Sequence, residues 1–373
     1  MRYFLFFLIL LHGLIHLLGF AKAFSLAPIE QLQLPISKVS GLLWLVASLL
    51  LGLTAILQFR HSSSWPLWAF GAIAVSQLLI LLAWQDAKWG TIANVVILLA
   101  AVVAFSSHRF EQSFLQDVKE HLLPTASPSE LLTIADLVHL PAPVQRYIQY
   151  TGAIGQPKVH NMAVTFRGRM RNKDDDWFNF TSRQFNDFSD PTRLFFMKAN
   201  VKGLPTYGYH AYQNQQASML IKVLSLFPVV DLDSEELFRT ETVTFFNDMC
   251  LFAPAALIDS RIQWESIDST SCRATFTNQG TSISATLHFD EEGKLINFKS
   301  DDRKEINIDQ YLPFSTPVNS YRYFGTNNQF YLMNDGQAVW HYPDGAFVYG
   351  EFHTVEVRYN TEELSVLASK TPK

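Results

Sequence analysis

The chain has 373 residues, with 29 Lys and Arg against 34 Asp and Glu, for a formal net charge of −5. That length accommodates two domains, and an acidic balance without a Lys/Arg stripe excludes a nucleic-acid-binding groove. Two cysteines, Cys250 and Cys272, with no Cys-x-x-Cys pair, exclude a zinc site made of thiolates alone and read as buried thiols.

Charge is unevenly spread. Residues 1–107 carry five cations (Arg2, Lys22, Lys38, Arg60 and Lys88) and two anions (Glu30 and Asp86), a net of +3. The remainder carries 24 and 32, a net of −8. An apolar, slightly basic half followed by a polar, acidic half reads as a membrane region joined to a water-soluble domain.

Four stretches have the roughly 20 apolar residues that a bilayer core requires: about 3–21, 41–59, 66–84 and 90–107. Ala21-Lys22-Ala23 imitates a signal-peptide cleavage site, but the long first run holds two histidines and precedes three more spans, which favours its retention. Trp44, Trp65, Trp68, Trp84 and Trp89 lie near predicted span ends, where indole rings suit the headgroup zone. Positive-inside counting leans slightly to a cytoplasmic N-terminus, and four spans would then return the C-terminal domain to the cytoplasm.

His12 and His16 are four apart and share a helix face. His12 lies near mid-bilayer, and an up-down bundle brings His16 to the side that holds Lys22, Asp86, Lys88 and, one turn into the fourth span, Asn94. Polar groups in a bilayer face an interior or a cavity, so this cluster reads either as a proton-relay, metal or small-ligand site or as inter-helix hydrogen bonding. His-x-x-x-His without a third ligand at the same depth is a weak metal signal. No second central histidine offers a haem partner.

Residues 108–154 read as a helical neck. Phe110, Phe114, Val118 and Leu122 share one face, and PTASPSE (124–130) breaks the pattern, with Ser127 or Ser129 placed to cap a new helix. LPAPV (140–144) is a second break before a short helix that ends at Gly152 and Gly155.

From 155 to 373 the period shortens to that of a strand. Val164, Phe166, Gly168 and Met170 alternate with polar residues, as do Ile283, Ala285, Leu287 and Phe289, so each run has one buried and one wet face. Turn signals at 172–176, 278–280, 292–294, 334–336 and 343–345 mark about ten short strands of an antiparallel meander. One helix interrupts it, with capping-box spacing at Asp233 and Glu236 and an end near Met249. The pattern implies an α+β domain, a half-barrel sheet wrapped on a helix. Its concave face either holds a lipophilic ligand or is filled by the helix.

Candidate site residues follow. Glu241 and Asp248 are seven apart on one helix face, where they could act as acid and base or pair with Arg183, Arg239 or Arg303. Trp340, His341 and Tyr342 could line a pocket mouth, although alternation turns Trp340 and Tyr342 inward and His341 outward. No nucleotide, hydrolase-elbow or metalloprotease motif occurs, so no cofactor and no metal is indicated.

The chain resembles a family of uncharacterised bacterial multi-pass membrane proteins. The stretches that carry this are HGLIHLLGFAKAF (12–24), QDAKWGTIAN (85–94), LPAPVQRYIQYTGAIG (140–155), FRGRMR (166–171), LFPVVD (226–231), ETVTFFNDMCLFAPAALID (241–259), SDDR (300–303) and VWHYPDGAFVYGEF (339–352). The resemblance implies a β domain beside a membrane anchor and brings no activity. In strand pattern alone, that domain is similar to the half-barrel of bacterial lipoprotein-carrier proteins. The reading that follows is a membrane-anchored protein whose β domain binds a lipid or other lipophilic ligand, with membrane lipids as partners, no nucleic acid and an oligomeric state that the sequence leaves open. A membrane enzyme using Glu241 and Asp248 or the histidine cluster, and a scaffold for a protein partner, are the alternatives.

Overall fold

Hydropathy dictates the first unit. A computed structural model describes residues 2–122, 130–325 and 327–368, which divide into Met1–Phe110 and Glu111–Lys373. Helices α1 (Arg2–Ala23), α2 (Lys38–Phe59) and α3 (Trp65–Leu82) are followed by a single turn, α4 (Trp84–Ala87), and by α5 (Gly90–Glu120). All but α4 are long and apolar enough to cross a membrane. Small residues let α1 and α2 approach closely. A Cβ on Gly19 would stand 2.3 Å from the Trp44 ring, and one on Gly41 would stand 2.3 Å from Ala23 Cβ. Ile9, Leu51, Ala55 and Ala72 are buried between helices, while Phe4, Phe7, Leu49 and Leu99 point outward as lipid-facing residues would.

The second unit begins inside α5. Its residues from Glu111 pack on a large sheet: Phe114 stacks on Phe196 at 5.6 Å, and Glu111 binds both Arg183 and Lys198. Asp117 accepts from the Tyr209 hydroxyl. His121 lies 3.8 Å from Asp187, whose hydrogen bond raises the imidazole pKa. Helix α6 (Ala142–Tyr150) follows. The apolar residues expected in a separate neck, among them Leu132, Leu140, Val144, Tyr147 and Ile148, lie in the same core as the sheet. The proposed break at 124–130, with Ser127 and Ser129, falls outside the described residues except for Glu130.

The sheet strands run β1 (Asn161–Met170), β2 (Phe178–Asp187), β3 (Thr192–Val201), β4 (Leu204–Gln213), β5 (Gln216–Val223) and β6 (Phe227–Asp233). Helix α7 (Glu235–Phe252) intervenes. Then come β7 (Ile262–Ser266), β8 (Ser271–Asn278), β9 (Thr281–Phe289), β10 (Leu295–Ser300), the short pair β11 (Lys304–Glu305) and β12 (Gln310–Tyr311), β13 (Phe314–Phe324), β14 (Phe330–Tyr342) and β15 (Gly345–Tyr359). Thirteen of these form one antiparallel sheet in the order β6-β5-β4-β3-β2-β1-β15-β14-β13-β10-β9-β8-β7. The two edges are therefore β6 and β7, the strands that α7 connects. The sheet is open, and the helix that joins its edges packs on its inner face.

The structure corrects three details of the sequence reading. Among the described residues there are fifteen strands rather than about ten, and several of them run to ten residues or more rather than being short. Asn334-Asp335-Gly336 is no turn: it lies inside β14, where pairing with β13 slips between Val318 and Tyr321. Gly336 allows a close approach there: a Cβ would stand 2.5 Å from Met333 Sδ and 3.2 Å from the Pro317 carbonyl oxygen. Helix α7 is capped by Ser234, whose hydroxyl accepts from Leu237 N at 3.1 Å, and not by an Asp233–Glu236 box. Its N-cap position is simply one residue later than the spacing suggested.

Candidate functional site

Fourteen of the eighteen residues of α7 are buried, so both of its faces have work inside the domain. One stripe, including Phe245, Phe246 and Met249, is apolar and belongs to the core cluster with Phe276 and Phe298. Phe246 lies nearly parallel to Phe276, with centroids 5.4 Å apart and planes at 7°. The other stripe, Thr240, Glu241, Thr244, Asn247, Asp248 and Leu251, is mostly polar and lines a cavity of about 350 Å³. Facing it are inward-pointing residues of the sheet, with methionines from four strands: Met170, Met197, Met219 and Met333. Unbranched, polarizable thioethers adapt to irregular ligands. Several phenylalanines, among them Phe166 and Phe195, complete the apolar wall.

The two carboxylates of the polar stripe share one cation. Arg193 on β3 donates from Nε to Asp248 Oδ2 at 2.6 Å and from Nη1 to Glu241 Oε2 at 3.1 Å. Gln184 Nε2 adds a donor to Asp248 at 2.8 Å. All three charged side chains are less than a tenth exposed. Burial opposes the Arg193 charge, and the two carboxylates more than offset it, leaving its pKa raised. His210 Nδ1 sits 4.0 Å from Glu241 Oε1. Burial pushes that imidazole down to about 4, so it is neutral at physiological pH.

Glu241 and Asp248 thus meet at one centre, but through Arg193. The three arginines considered from the sequence are engaged elsewhere: Arg183 with Glu111, Arg239 with Asp302, and Arg303 with the Tyr349 hydroxyl. Sequence reasoning missed Arg193, Gln184 and His210. The available signal was the strand register of β3, where Arg193, Phe195 and Met197 share the inward face. Trp340 and Tyr342 line the cavity. His341 points away from it and shares a 2.8 Å hydrogen bond with Ser315 Oγ.

In the first unit, His12 Nε2 lies 2.9 Å from Asn94 Oδ1 and 3.2 Å from Ser76 Oγ. Asn94 Nδ2 donates to Ser76 and to Gln77, each at 3.0 Å. His16 Nδ1 bonds the His12 carbonyl at 2.8 Å, and its ring packs on Trp44. Asp86 is elsewhere: it accepts from Gln33 N and Leu34 N at 2.7 and 2.8 Å, tying down the α1–α2 loop. Lys88 sits over Trp89. The polar cluster is therefore His12, Ser76, Gln77 and Asn94 with His16 beside it, and Asp86 and Lys88 lie outside it. Unpaired loop amides attract Asp86 more strongly than a buried position across the bundle would. Among the described residues no group of three or more His, Cys, Asp or Glu side chains is arranged to hold a metal.

A family model described as a family of unknown function, DUF6544, matches residues 130–352. No curated protein matches the chain. Among solved structures, a domain described as an outer membrane lipoprotein-sorting protein from Vibrio parahaemolyticus is 10% identical, covering 53% of this chain and 85% of its own, at a TM-score of 0.28. A LolA superfamily protein from Nitrosomonas europaea is 9% identical, covering 58% and 93%, at a TM-score of 0.31. Likeness at this level says nothing of function, and the cavity has to be judged on its own chemistry.

Proposed function

The chain belongs to the family of unknown function DUF6544, and we propose that this member is a membrane-tethered protein whose β domain binds a lipophilic ligand. One observation carries this: α7 turns a polar stripe toward the inner face of the sheet and leaves about 350 Å³ between them, walled by methionine and phenylalanine. Ligand sites typically have about 300–1,000 Å³, apolar walls and a few convergent polar groups. A helix serving only as a core plug would turn apolar residues to both sides. Glu241 and Asp248, each bonded to Arg193, serve in this reading to hold α7 at a fixed distance from β3 rather than to transfer protons. The helical spans, unlike the closed barrels of outer membranes, favour the bacterial cytoplasmic membrane as the site of the anchor. Recovery of the chain in the outer-membrane fraction would contradict that placement.

The test is uptake of a dansyl-labelled fatty acid by the full chain in phosphatidylcholine nanodiscs. The expected result is saturable, blue-shifted emission that Met197→Trp abolishes, because an indole at that position occupies the cavity. Equal uptake by the variant, or none by the wild type, would sink the reading.

A further inference from the structure

The charges on the cavity wall do not balance. Five cations, Arg171, Lys173, Arg193, Arg303 and Lys304, face three carboxylates, Glu241, Asp248 and Glu305. Arg193 is neutralised by Glu241 and Asp248. Lys173 and Lys304 reach out to Asp344 and Asp309, both well exposed. Glu305 is occupied by Asn307 Nδ2 and by Ile308 N.

Among the described residues neither Arg171 nor Arg303 has a carboxylate within ion-pairing distance. Arg171 Nε donates to the Val348 carbonyl at 3.1 Å, and its guanidinium packs on Trp177 and Phe347. Arg303 differs in that its Nε is buried without a partner. Its one protein acceptor is the Tyr349 hydroxyl, 2.8 Å from Nη1. The guanidinium is held 4.2 Å from the centre of Phe314 and 5.2 Å from that of Trp340, with Tyr349 beside it. Aromatic faces fix the plane of such a group without consuming its donors. What remains is a positioned, partly desolvated fork whose free N–H groups suit a carboxylate or phosphate.

We infer that the ligand is an anionic amphiphile, its acid group held at Arg303 and its chain lying along the methionine-lined wall. This rests on the lipophilic reading above and narrows it to a ligand class. A neutral lipid of the same chain would leave the Arg303 donors unpaired, which disfavours it.

The experiment uses the full chain in phosphatidylcholine nanodiscs and two photoreactive probes of equal chain length, dodecanoate and dodecanol, with labelled peptides mapped by mass. The expected result is labelling of cavity peptides at a concentration about tenfold lower for the acid than for the alcohol. Arg303→Gln should bring the acid to the alcohol's level while the alcohol's own labelling stays unchanged, which shows that the variant is folded. Arg303→Lys should keep part of the preference. Equal labelling by both probes in the wild type, or an acid preference that survives Arg303→Gln, overturns the inference and leaves the lipophilic reading standing. Inorganic phosphate competing as well as unlabelled dodecanoate would mean a free anion and would also overturn it. Labelling of the cavity by neither probe defeats the lipophilic reading itself.

Discussion

Replacing Arg193 by methionine lowers the thermal midpoint of the β domain by roughly 10 °C. The substitution leaves two carboxylates, Glu241 and Asp248, buried with no cation between them. Breaking a buried pair by removing one partner costs about 3–5 kcal/mol, because the remaining charge is neither solvated nor matched. In a unit of this size each kcal/mol moves the midpoint by about 2–4 °C. The companion variant makes the interpretation specific. Changing Glu241 and Asp248 to methionine as well removes the stranded charges and restores most of the lost stability, since apolar replacement of a whole buried ionic group is often near neutral. Near-ultraviolet circular dichroism of the full chain reads both. A single-variant shift below about 2 °C would mean that the cluster is solvated and not the buried tie described here.

Phe246→Ala costs about 3–5 kcal/mol, the range for emptying a fully buried aromatic site. Phe246 is completely buried, stacked on Phe276 and 5.9 Å from the centre of Phe298. It stands on the stripe of α7 that is packed solid. The opposite stripe faces the cavity, so enlarging a side chain there has space to enter, and Met197→Trp should cost less than about 1.5 kcal/mol. Denaturant titration of the two variants tests whether α7 has one packed and one open side. Similar losses for both would show that the domain is close-packed throughout.

The four long apolar helices were legible because hydropathy over some 20 residues is a strong signal that no tertiary contact has to complete. Strands such as β9 were legible for the same reason, with Ile283, Ala285, Leu287 and Phe289 buried in strict alternation. Local turn chemistry misled at Asn334-Asp335-Gly336, where the glycine serves close approach within a slipped pairing rather than reversal of the chain. The helical stripe bearing Glu241 and Asp248 was readable from its spacing of seven. Its partner was not, because Arg193 is 48 and 55 residues away in sequence and meets the helix only when the sheet curls. The polar cluster among the apolar helices shows the same division. His12 and Asn94 meet in the bundle, while Asp86, placed on the correct side by span counting, is drawn off by loop amides that carry no sequence signature.

The most direct measurement is native mass spectrometry of the full chain released from detergent, comparing wild type with Met197→Trp. A binding cavity predicts one retained lipophilic adduct per chain in the wild type and loss of that adduct in the variant, with the fold of the variant intact. A bare wild-type chain, or an adduct of equal abundance in both, would contradict the assignment of the cavity as a ligand site.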